Sequence, residues 1–286
     1  MKILFCTDGS TISYNALKNF SKWTNNIEID IFCSADWSFL PDNIAIEDYD
    51  FSTRCTNSAQ NILTNAKSYF EQQGLNISNT IKMCGSTVDS ILEVCDKNKY
   101  DIVVLGSHGK KGVQKWLGSV SSEVSDTSSI STFISKGENS CQKILFPIEP
   151  DVNNEETIKK ALNYLYLKDK EIHLMTVYDS PDYLFLEGNI DTKWMLEIEE
   201  KEKQEGLKLL DRYEAIFNDL GVKVYTKKVV IGVPAILIPE YTIANKIDLV
   251  VCGVKKRNML SKFLLSSVSK RLLENSISDI LIIRDN

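Results

Sequence analysis

The sequence is poor in the residues that metal and thiol chemistry need. It contains two histidines, His108 and His173, which argues against a histidine-rich metal site and against a histidine-dependent nucleophile. Its seven cysteines are odd in number and scattered, and no two of them form a Cys-x-x-Cys pair. Cys6, Cys33 and Cys252 stand inside apolar runs, so we expect them to behave as small core residues.

The chain also lacks long apolar runs and an excess of positive charge. No stretch approaches the ~20 apolar residues that a membrane helix needs. The opening residues, MKILFCTDGS, do not have the pattern of a signal peptide. The formal net charge of −6 argues against non-specific binding to nucleic acid or to an anionic membrane. We therefore expect a cytoplasmic protein with neither a nucleic-acid partner nor a membrane partner.

The chain contains a regular alternation of strand-like and helix-like segments. Its 286 residues, 43% of them hydrophobic, suit two globular domains. Short apolar runs alternate with amphipathic segments such as 58–73 and 88–98; the runs lie at 2–7, 27–35, 75–84, 100–106 and 130–134. Residues 37–55 have no such period and are predicted to be irregular. This spacing predicts a doubly wound, mainly parallel α/β sheet with helices on both faces.

The second half of the sequence repeats the first. Three segments return: KILF (2–5) at 143–146, DIVVLG (101–106) as DLVVCG at 248–253, and GSVSSEV (118–124) as SSVSKRL at 266–272. The offset grows from 141 to 148 residues, which small loop insertions explain. We interpret the chain as a duplication of one domain, with a first repeat at 1–137 and a second repeat at 138–286. The charged segment 187–214 is then the second repeat's counterpart of the helix predicted at 58–73.

A glycine-rich stretch, GSHGKKGVQKWLGSV, runs from Gly106 to Val120. It follows an apolar strand-like run and leads into a helical segment. Glycine admits positive φ and lets a ligand approach the main chain closely. A helix N-terminus offers unpaired N–H groups and the positive end of a dipole, which suit phosphate. The order of strand, glycine loop and helix start predicts an anion cradle, although an ordinary turn is an equally good interpretation of the loop alone.

The repeats and the loop together resemble a tandem universal stress protein. The nucleotide motif of that family is Gly, two residues, Gly, nine residues, Gly-Ser/Thr. Gly106, Gly109 and Gly118-Ser119 match this motif, except that eight residues separate Gly109 from Gly118. The resemblance covers nearly the whole chain. It implies two tandem domains, each with a Rossmann-like, mainly parallel five-stranded sheet of order 3-2-1-4-5.

The resemblance implies an adenine nucleotide in the first repeat, ATP or else ADP or AMP, with Mg²⁺. Asp8 would face the ribose or the Mg²⁺, and the backbone at Ser34 would meet the adenine. The site implied by the family motif comprises Thr7, Asp8, Ser34, Leu105, Gly106, His108, Gly109, Gly118, Ser119, Val120 and Ser121. Among these, the N–H groups of Ser119 and Val120 would hold phosphates, and His108 is expected to pack within the loop rather than to catalyse.

The second repeat departs from the family motif. Lys256 and Ser266 stand where its second and third glycines belong, and Glu149 replaces Asp8. A lysine side chain blocks the close approach that glycine allows. We therefore predict that the second repeat does not bind ATP in the usual way.

Three functions fit this sequence. The first is an ATP-binding regulator whose bound state a partner recognises. The second is a slow ATPase, for which no general base is evident in the sequence. The third is a scaffold that binds no nucleotide, because the shortened loop closes the pocket.

The assembly of the two repeats can also be predicted. The resemblance implies that the closing strands, 130–134 and 280–284, pair within one chain, since both would otherwise be exposed apolar edges. It leaves a homodimer of two chains open.

Overall fold

The computed structural model describes residues 1–36, 49–108, 117–179, 192–254 and 265–284. Its strands are β1 (Lys2–Cys6), β2 (Glu28–Ala35), β3 (Ile77–Cys84), β4 (Ile102–Gly106), β5 (Ser131–Ser135), β6 (Lys143–Ile148), β7 (Glu171–Tyr178), β8 (Val224–Ile231), β9 (Leu249–Val254) and β10 (Asp279–Arg284). Its helices are α1 (Thr11–Trp23), α2 (Tyr49–Gln72), α3 (Thr87–Lys97), α4 (Ser119–Thr127), α5 (Glu155–Tyr164), α6 (Thr192–Asp219), α7 (Pro234–Ala244) and α8 (Ser267–Asn275). Across these described ranges, no helix combines the length and the apolar character that crossing a bilayer requires.

One sheet of ten strands runs through both repeats, in the order β3-β2-β1-β4-β5-β10-β9-β6-β7-β8. Strand pairing inside each repeat is parallel, and the order 3-2-1-4-5 is confirmed in both. The two closing strands pair antiparallel, with Ile280 opposite Ile134 and Ile282 opposite Thr132. The expected pairing within one chain is therefore confirmed. It places two strands that would otherwise be edges in the middle of the sheet.

Helices cover both faces of this sheet. Successive strand residues point to opposite faces: Ile3 and Phe5 of β1 belong to one core, and Leu4 and Cys6 to the other. The first core is completed by side chains of α1, α2, α5 and α6, and the second by those of α3, α4, α7 and α8. Parallel strands buried on both faces need continuous apolar runs, which explains why the strand segments of this sequence lack a simple polar alternation.

Helix α2 begins earlier than the sequence predicted. It starts at Tyr49, so the prediction of an irregular segment over 37–55 is wrong for residues 49–55, and residues 37–48 lie outside the described ranges. The segment YDFSTRCTNS has few apolar residues at helical spacing, and periodicity therefore does not reveal this start. Helix α6 spans Thr192–Asp219 and so continues past residue 214, where the predicted segment ends, while residues 187–191 lie outside the described ranges. Gly221 follows it with a φ of 69°, the left-handed conformation typical of helix ends.

A buried carboxylate joins the two repeats at the end of the β5–β10 pairing. Asp279 accepts hydrogen bonds from Asn19 Nδ2 at 3.1 Å, Ser135 Oγ at 3.0 Å, Lys136 N at 2.8 Å and Asn139 Nδ2 at 2.8 Å. Burial raises the pKa of Asp279 to about 7, although all four donors favour its charged form. Helix α1, the end of β5 and the segment between the repeats therefore meet at one side chain of β10.

Candidate nucleotide site

The carboxyl ends of β1 and β4 lie side by side where the strand order reverses. Strand β1 pairs with β2 on one side and with β4 on the other, so that Phe5 lies opposite both Ile31 and Val104. Later strands are added outward from this pair in opposite directions, and doubly wound sheets bind ligands in the crevice that results. Asp8 follows β1 and Gly106 ends β4, so both residues stand at this edge of the sheet.

Hydrogen bonds hold the start of α4 against the end of β4. Gly118 N donates to Ser107 O at 2.7 Å, and Ser121 Oγ donates to Gly106 O at 2.6 Å. Ser107 N in turn donates to Ser135 O of β5 at 2.8 Å. The structure thus brings together Gly106, Gly118 and Ser121, three of the residues predicted from the sequence. The side chain of Leu105 is buried in the core.

The N-cap residue of α4 gives the helix no side-chain cap. That residue is Gly118, and the first intrahelical bond runs from Ser122 N to Gly118 O at 2.9 Å. The amides of Ser119, Val120 and Ser121 precede that bond and find no acceptor within the described parts of the chain. These three N–H groups, at the positive end of the helix dipole, are suited to an anion.

Two glycines of the motif, Gly106 and Gly118, lie within the described residues, and close packing leaves little room for a Cβ at either. A Cβ on Gly106 would lie 3.2 Å from the backbone carbonyl of Ile12 in α1. A Cβ on Gly118 would lie 3.3 Å from His108 Cα and 3.3 Å from Ser107 O. Neither glycine has the positive φ that the sequence analysis invoked, and that of Gly118 is −65°. This part of the prediction is wrong for these two residues, because backbone contact with α1 and with His108 accounts for the glycines.

His108 is buried beside the start of α4. It is 7% exposed, and its Nδ1 lies 3.0 Å from Ser107 Oγ. Its Nε2 is buried and has no hydrogen-bond partner among the residues that the structure describes. Gly109, together with Lys110 and Lys111, lies outside those residues.

The turn after β1 is fixed by its own side chains. Asp8 Oδ1 accepts from Ser10 N at 3.0 Å, and Thr7 Oγ1 accepts from Gly9 N at 3.0 Å. The Thr7 hydroxyl also lies 2.7 Å from Ser13 Oγ and is buried, so its side chain is committed to the turn. Asp8 is half-buried at the edge of the sheet.

Ser34 stands near the end of β2, next to β1. Its Oγ donates to Gly85 O at 3.4 Å. Gly85, directly after β3, has a φ of 123°, and Gly232, directly after the equivalent strand β8, has a φ of 142°. Both repeats therefore use glycine for the same left-handed turn after their third strand.

The sequence did not reveal the roles of Ser13 and Ser107, whose side chains hydrogen-bond to predicted site residues and hold them in position. Ser13 binds the Thr7 hydroxyl, and its amide donates to the capping Ser10 Oγ at 3.2 Å. Its position three residues after Ser10 is a capping signal that the sequence does contain. Ser107 lies within the recognised motif, but its contact with His108 depends on side-chain direction, which the motif does not specify.

The second repeat has a cavity of about 840 Å³ at the matching edge, beyond the ends of β6, β7 and β9. Four carboxylates line it, from Glu149, Asp151, Glu156 and Asp179. Helix α8 begins at this cavity and is capped by its own residue, because Ser266 Oγ accepts from Ser269 N at 3.1 Å. The equivalent amide of the first repeat, Ser121 N, has no such cap. The two repeats therefore present chemically different helix starts to their sheet edges.

Comparison with known proteins agrees with this architecture. The family model described as the universal stress protein family matches the chain twice, at residues 1–136 and 141–284. The chain belongs to the universal stress protein family. A universal stress protein of Methanocaldococcus jannaschii is 30% identical over 155 residues, which cover 54% of this chain and 89% of that protein.

Solved structures of universal stress proteins share the fold over the full length. The crystal structure of one from Archaeoglobus fulgidus has a TM-score of 0.70 at 17% identity and covers 100% of this chain and 98% of its own. A second, from Pseudomonas aeruginosa, has a TM-score of 0.64 at 12% identity and covers 99% of this chain and 92% of its own. At these identities the likeness shows the fold alone. This universal stress protein thus shares its two-repeat architecture with both.

Proposed function

We propose that the first repeat binds one molecule of ATP with Mg²⁺ and that the bound state regulates a partner in a cytoplasmic stress response. The observation that carries the proposal is the uncapped start of α4, which is bonded to the end of β4 at the reversal of strand order. Family membership and the match of Gly106 and Gly118-Ser119 to the nucleotide motif support the same assignment.

The amides at the start of α4 are the proposed phosphate ligands. Ser119 is exposed and Val120 is half-buried, so a ligand can reach this end of the helix. The amide of Ser121 belongs to this set, and its hydroxyl donates to Gly106 O and thereby fixes the helix start against the strand end. Backbone donors of this kind bind phosphate without a charged side chain.

Asp8 is the proposed Mg²⁺ ligand, and its surroundings suit an ion that arrives with the nucleotide. Within the described ranges, no group of three or more His, Cys, Asp or Glu side chains is arranged to hold a metal. Mg²⁺ is commonly bound through one or two carboxylates together with substrate phosphates. A single half-buried carboxylate at the same edge of the sheet as this helix start fits that arrangement.

The second repeat is not proposed to bind ATP. Its cavity is lined by four carboxylates, which repel phosphate, and Ser266 already occupies one of the amides at the start of α8. The stoichiometry should therefore be one nucleotide per chain.

Calorimetric titration with ATP, with and without Mg²⁺, tests the proposal. We expect one saturable site per chain. Asp8→Asn should weaken binding in the presence of Mg²⁺ by about tenfold, the effect of losing one charge-assisted contact. The matched change in the second repeat, Glu149→Gln, should leave the affinity unchanged. Absence of saturable binding, or a loss with Glu149→Gln alone, would contradict the assignment, and phosphate release from Mg²⁺-ATP separates a regulator from a slow ATPase.

A further inference from the structure

A chain of hydrogen bonds connects Asp279 of the second repeat to the end of β4 in the first. Lys136 N donates to Asp279 Oδ1 at 2.8 Å. Lys136 shares its peptide group with Ser135, the last residue of β5, and Ser135 O accepts from Ser107 N at 2.8 Å. One peptide group therefore contacts the buried carboxylate through its N–H and the residue after β4 through its carbonyl.

The chain continues from the end of β4 to the start of α4. Ser107 shares its peptide group with Gly106, and Gly106 O accepts from Ser121 Oγ at 2.6 Å. Ser121 lies in the first turn of α4, and its amide is one of the three proposed phosphate ligands. We call this series of three hydrogen bonds, from the Asp279 carboxylate to the Ser121 hydroxyl, the relay.

The bonds of the relay all point the same way. Each peptide group donates toward Asp279 and accepts from the side of α4, so the dipoles of the two groups are aligned. A charged acceptor strengthens the hydrogen bond that it receives. The effect passes along an aligned chain, because a peptide group whose N–H is bound more strongly becomes a better acceptor at its carbonyl. Ionised Asp279 therefore strengthens the bond that holds Ser121 to the end of β4, and protonated Asp279 weakens it.

The equivalent position of the first repeat carries a neutral residue. Helices α4 and α8 correspond at an offset of 148 residues, and the same offset makes Asp279, the first residue of β10, the counterpart of Ser131, the first residue of β5. Arg284, the counterpart of Lys136, donates its N–H to Ser131 Oγ at 3.2 Å. A carboxylate therefore receives the amide that leads to the uncapped helix α4, and a neutral hydroxyl receives the equivalent amide of the other repeat.

Several ionisable groups lie near Asp279, and their titration has to be separated from its own. Burial raises the pKa of Asp279 to about 7 and lowers that of Lys136 to about 8, so the carboxyl group titrates at lower pH than this cation. The charged and titratable side chains around Asp279, directly or through one neighbour, are Lys136 and Glu274, Asp248 before β9, and Cys141 with Lys22 and Lys170. A variant that changes Asp279 alone isolates its contribution from theirs.

We propose that Asp279 is a positioning residue for the nucleotide site of the first repeat, and that its ionised form raises the affinity for ATP through the relay. The inference rests on the proposed function, since it assumes that the amides at the start of α4 bind phosphate. A helix start that is held firmly against the strand end loses less freedom when the nucleotide binds, and binding is therefore tighter. The second repeat thus contributes to nucleotide binding without touching the nucleotide.

Calorimetric titration with Mg²⁺-ATP at half-unit pH steps from 5.5 to 8 tests the proposal. The affinity of the wild-type protein should rise about fourfold more across this range than that of Asp279→Asn, the part of a fivefold coupling that falls within the range. Titration of ATP itself cancels in this comparison, because both proteins receive the same ligand. Linkage is reciprocal, so ATP binding should also release part of a proton from Asp279 near pH 7. Titrations in buffers of different ionisation enthalpy measure this release, which Asp279→Asn should lack.

Two further variants test the route. Ser121→Ala removes the last bond of the relay and should abolish the extra pH dependence although Asp279 is still present. Ser131→Ala, at the equivalent position of the first repeat, is the matched control and should leave both the affinity and its pH dependence unchanged. Circular dichroism melting curves establish that each variant is folded.

The outcomes separate this inference from the proposed function. No saturable binding of ATP at any pH would overturn both. Parallel pH profiles of the wild-type protein and Asp279→Asn, whatever the offset between them, would overturn the inference alone, because a merely structural role lowers the affinity equally at every pH. A Ser121→Ala variant that binds ATP with the wild-type pH profile would also overturn it, since the effect would then not pass through the relay.

Discussion

The buried Asp279 allows a prediction whose size follows from its surroundings. In Asp279→Asn, the side chain keeps its shape but loses the proton that the carboxyl group can exchange. Burial raises the pKa of Asp279 from its ordinary value of 3.8 to about 7 in the folded protein. The folded chain therefore binds this proton more tightly than the unfolded chain between about pH 4 and pH 7.

This difference in proton binding makes stability depend on pH. Protonated Asp279 stabilises the folded state, and its contribution to the free energy of unfolding is fully present below about pH 4 and is lost as the pH rises through about 7. At 1.36 kcal/mol for each pH unit, the three-unit window amounts to about 4 kcal/mol. The asparagine variant has no such proton. The stability advantage of the wild-type protein over Asp279→Asn should therefore shrink by about 4 kcal/mol between pH 4 and pH 7.5.

Urea unfolding of both proteins at half-unit pH steps measures this gap, because titrating groups that do not interact with Asp279 cancel in the difference. Ser135→Ala supplies an internal check, since removing a donor 3.0 Å from the carboxylate should raise the pKa further and move the change to higher pH. A gap that stays constant, or that widens as the pH rises, would show that the four hydrogen bonds keep Asp279 ionised and that burial does not dominate.

Three further substitutions test other contacts. Gly118→Ser places a capping hydroxyl at the start of α4, as Ser266 does in α8, and should weaken ATP binding in calorimetry by about tenfold or more. Its Cβ would lie 3.3 Å from His108 Cα and from Ser107 O, so Gly118→Ala, which adds the Cβ without the hydroxyl, is the control for crowding, and Ser266→Gly should leave ATP binding unchanged. Gly206→Ala should destabilise the fold by about 1–3 kcal/mol in urea unfolding, although alanine favours helices, because its Cβ would lie 2.6 Å from Val229 Cγ1. Phe133→Ala empties a fully buried position of β5 and should cost about 3–5 kcal/mol by the same assay; a loss below 1 kcal/mol would mean that the Phe133 side chain does not contribute to the core as its burial requires.

The strand order and the β5–β10 pairing could be predicted because the repeats and the glycine motif resemble the universal stress protein family, and the duplication applies that resemblance to both halves. The match between 101–106 and 248–253 fixes equivalent strands, and Gly85 and Gly232 share a backbone conformation that only a repeated turn explains. The location of the candidate site at the end of β4 follows from the glycine motif. The roles of Gly106 and Gly118 in packing could not be predicted, since they depend on how closely Ile12 and His108 approach in space.

Contacts between distant parts of the chain were also beyond prediction. Asn19 and Asp279 are separated by 260 residues, and no local pattern marks either as a partner of the other. The early start of α2 was missed because Tyr49 opens a stretch without apolar periodicity. The sequence showed only that Ser266 stands where the motif has glycine. The structure adds that its hydroxyl accepts a hydrogen bond from Ser269 N, which makes this amide unavailable to a ligand.

The antiparallel pairing of β5 with β10 has a consequence for symmetry. Identical chains that assemble through one such strand must carry identical ligand sites, and a change that damages one site damages both. In this protein the two partners are covalently joined, so each repeat meets a fixed and different neighbour at a concentration that does not depend on the amount of protein. One repeat is then free to carry a self-capped helix start, at α8, while the other keeps an uncapped one, at α4. The fused chain is in effect an obligate heterodimer.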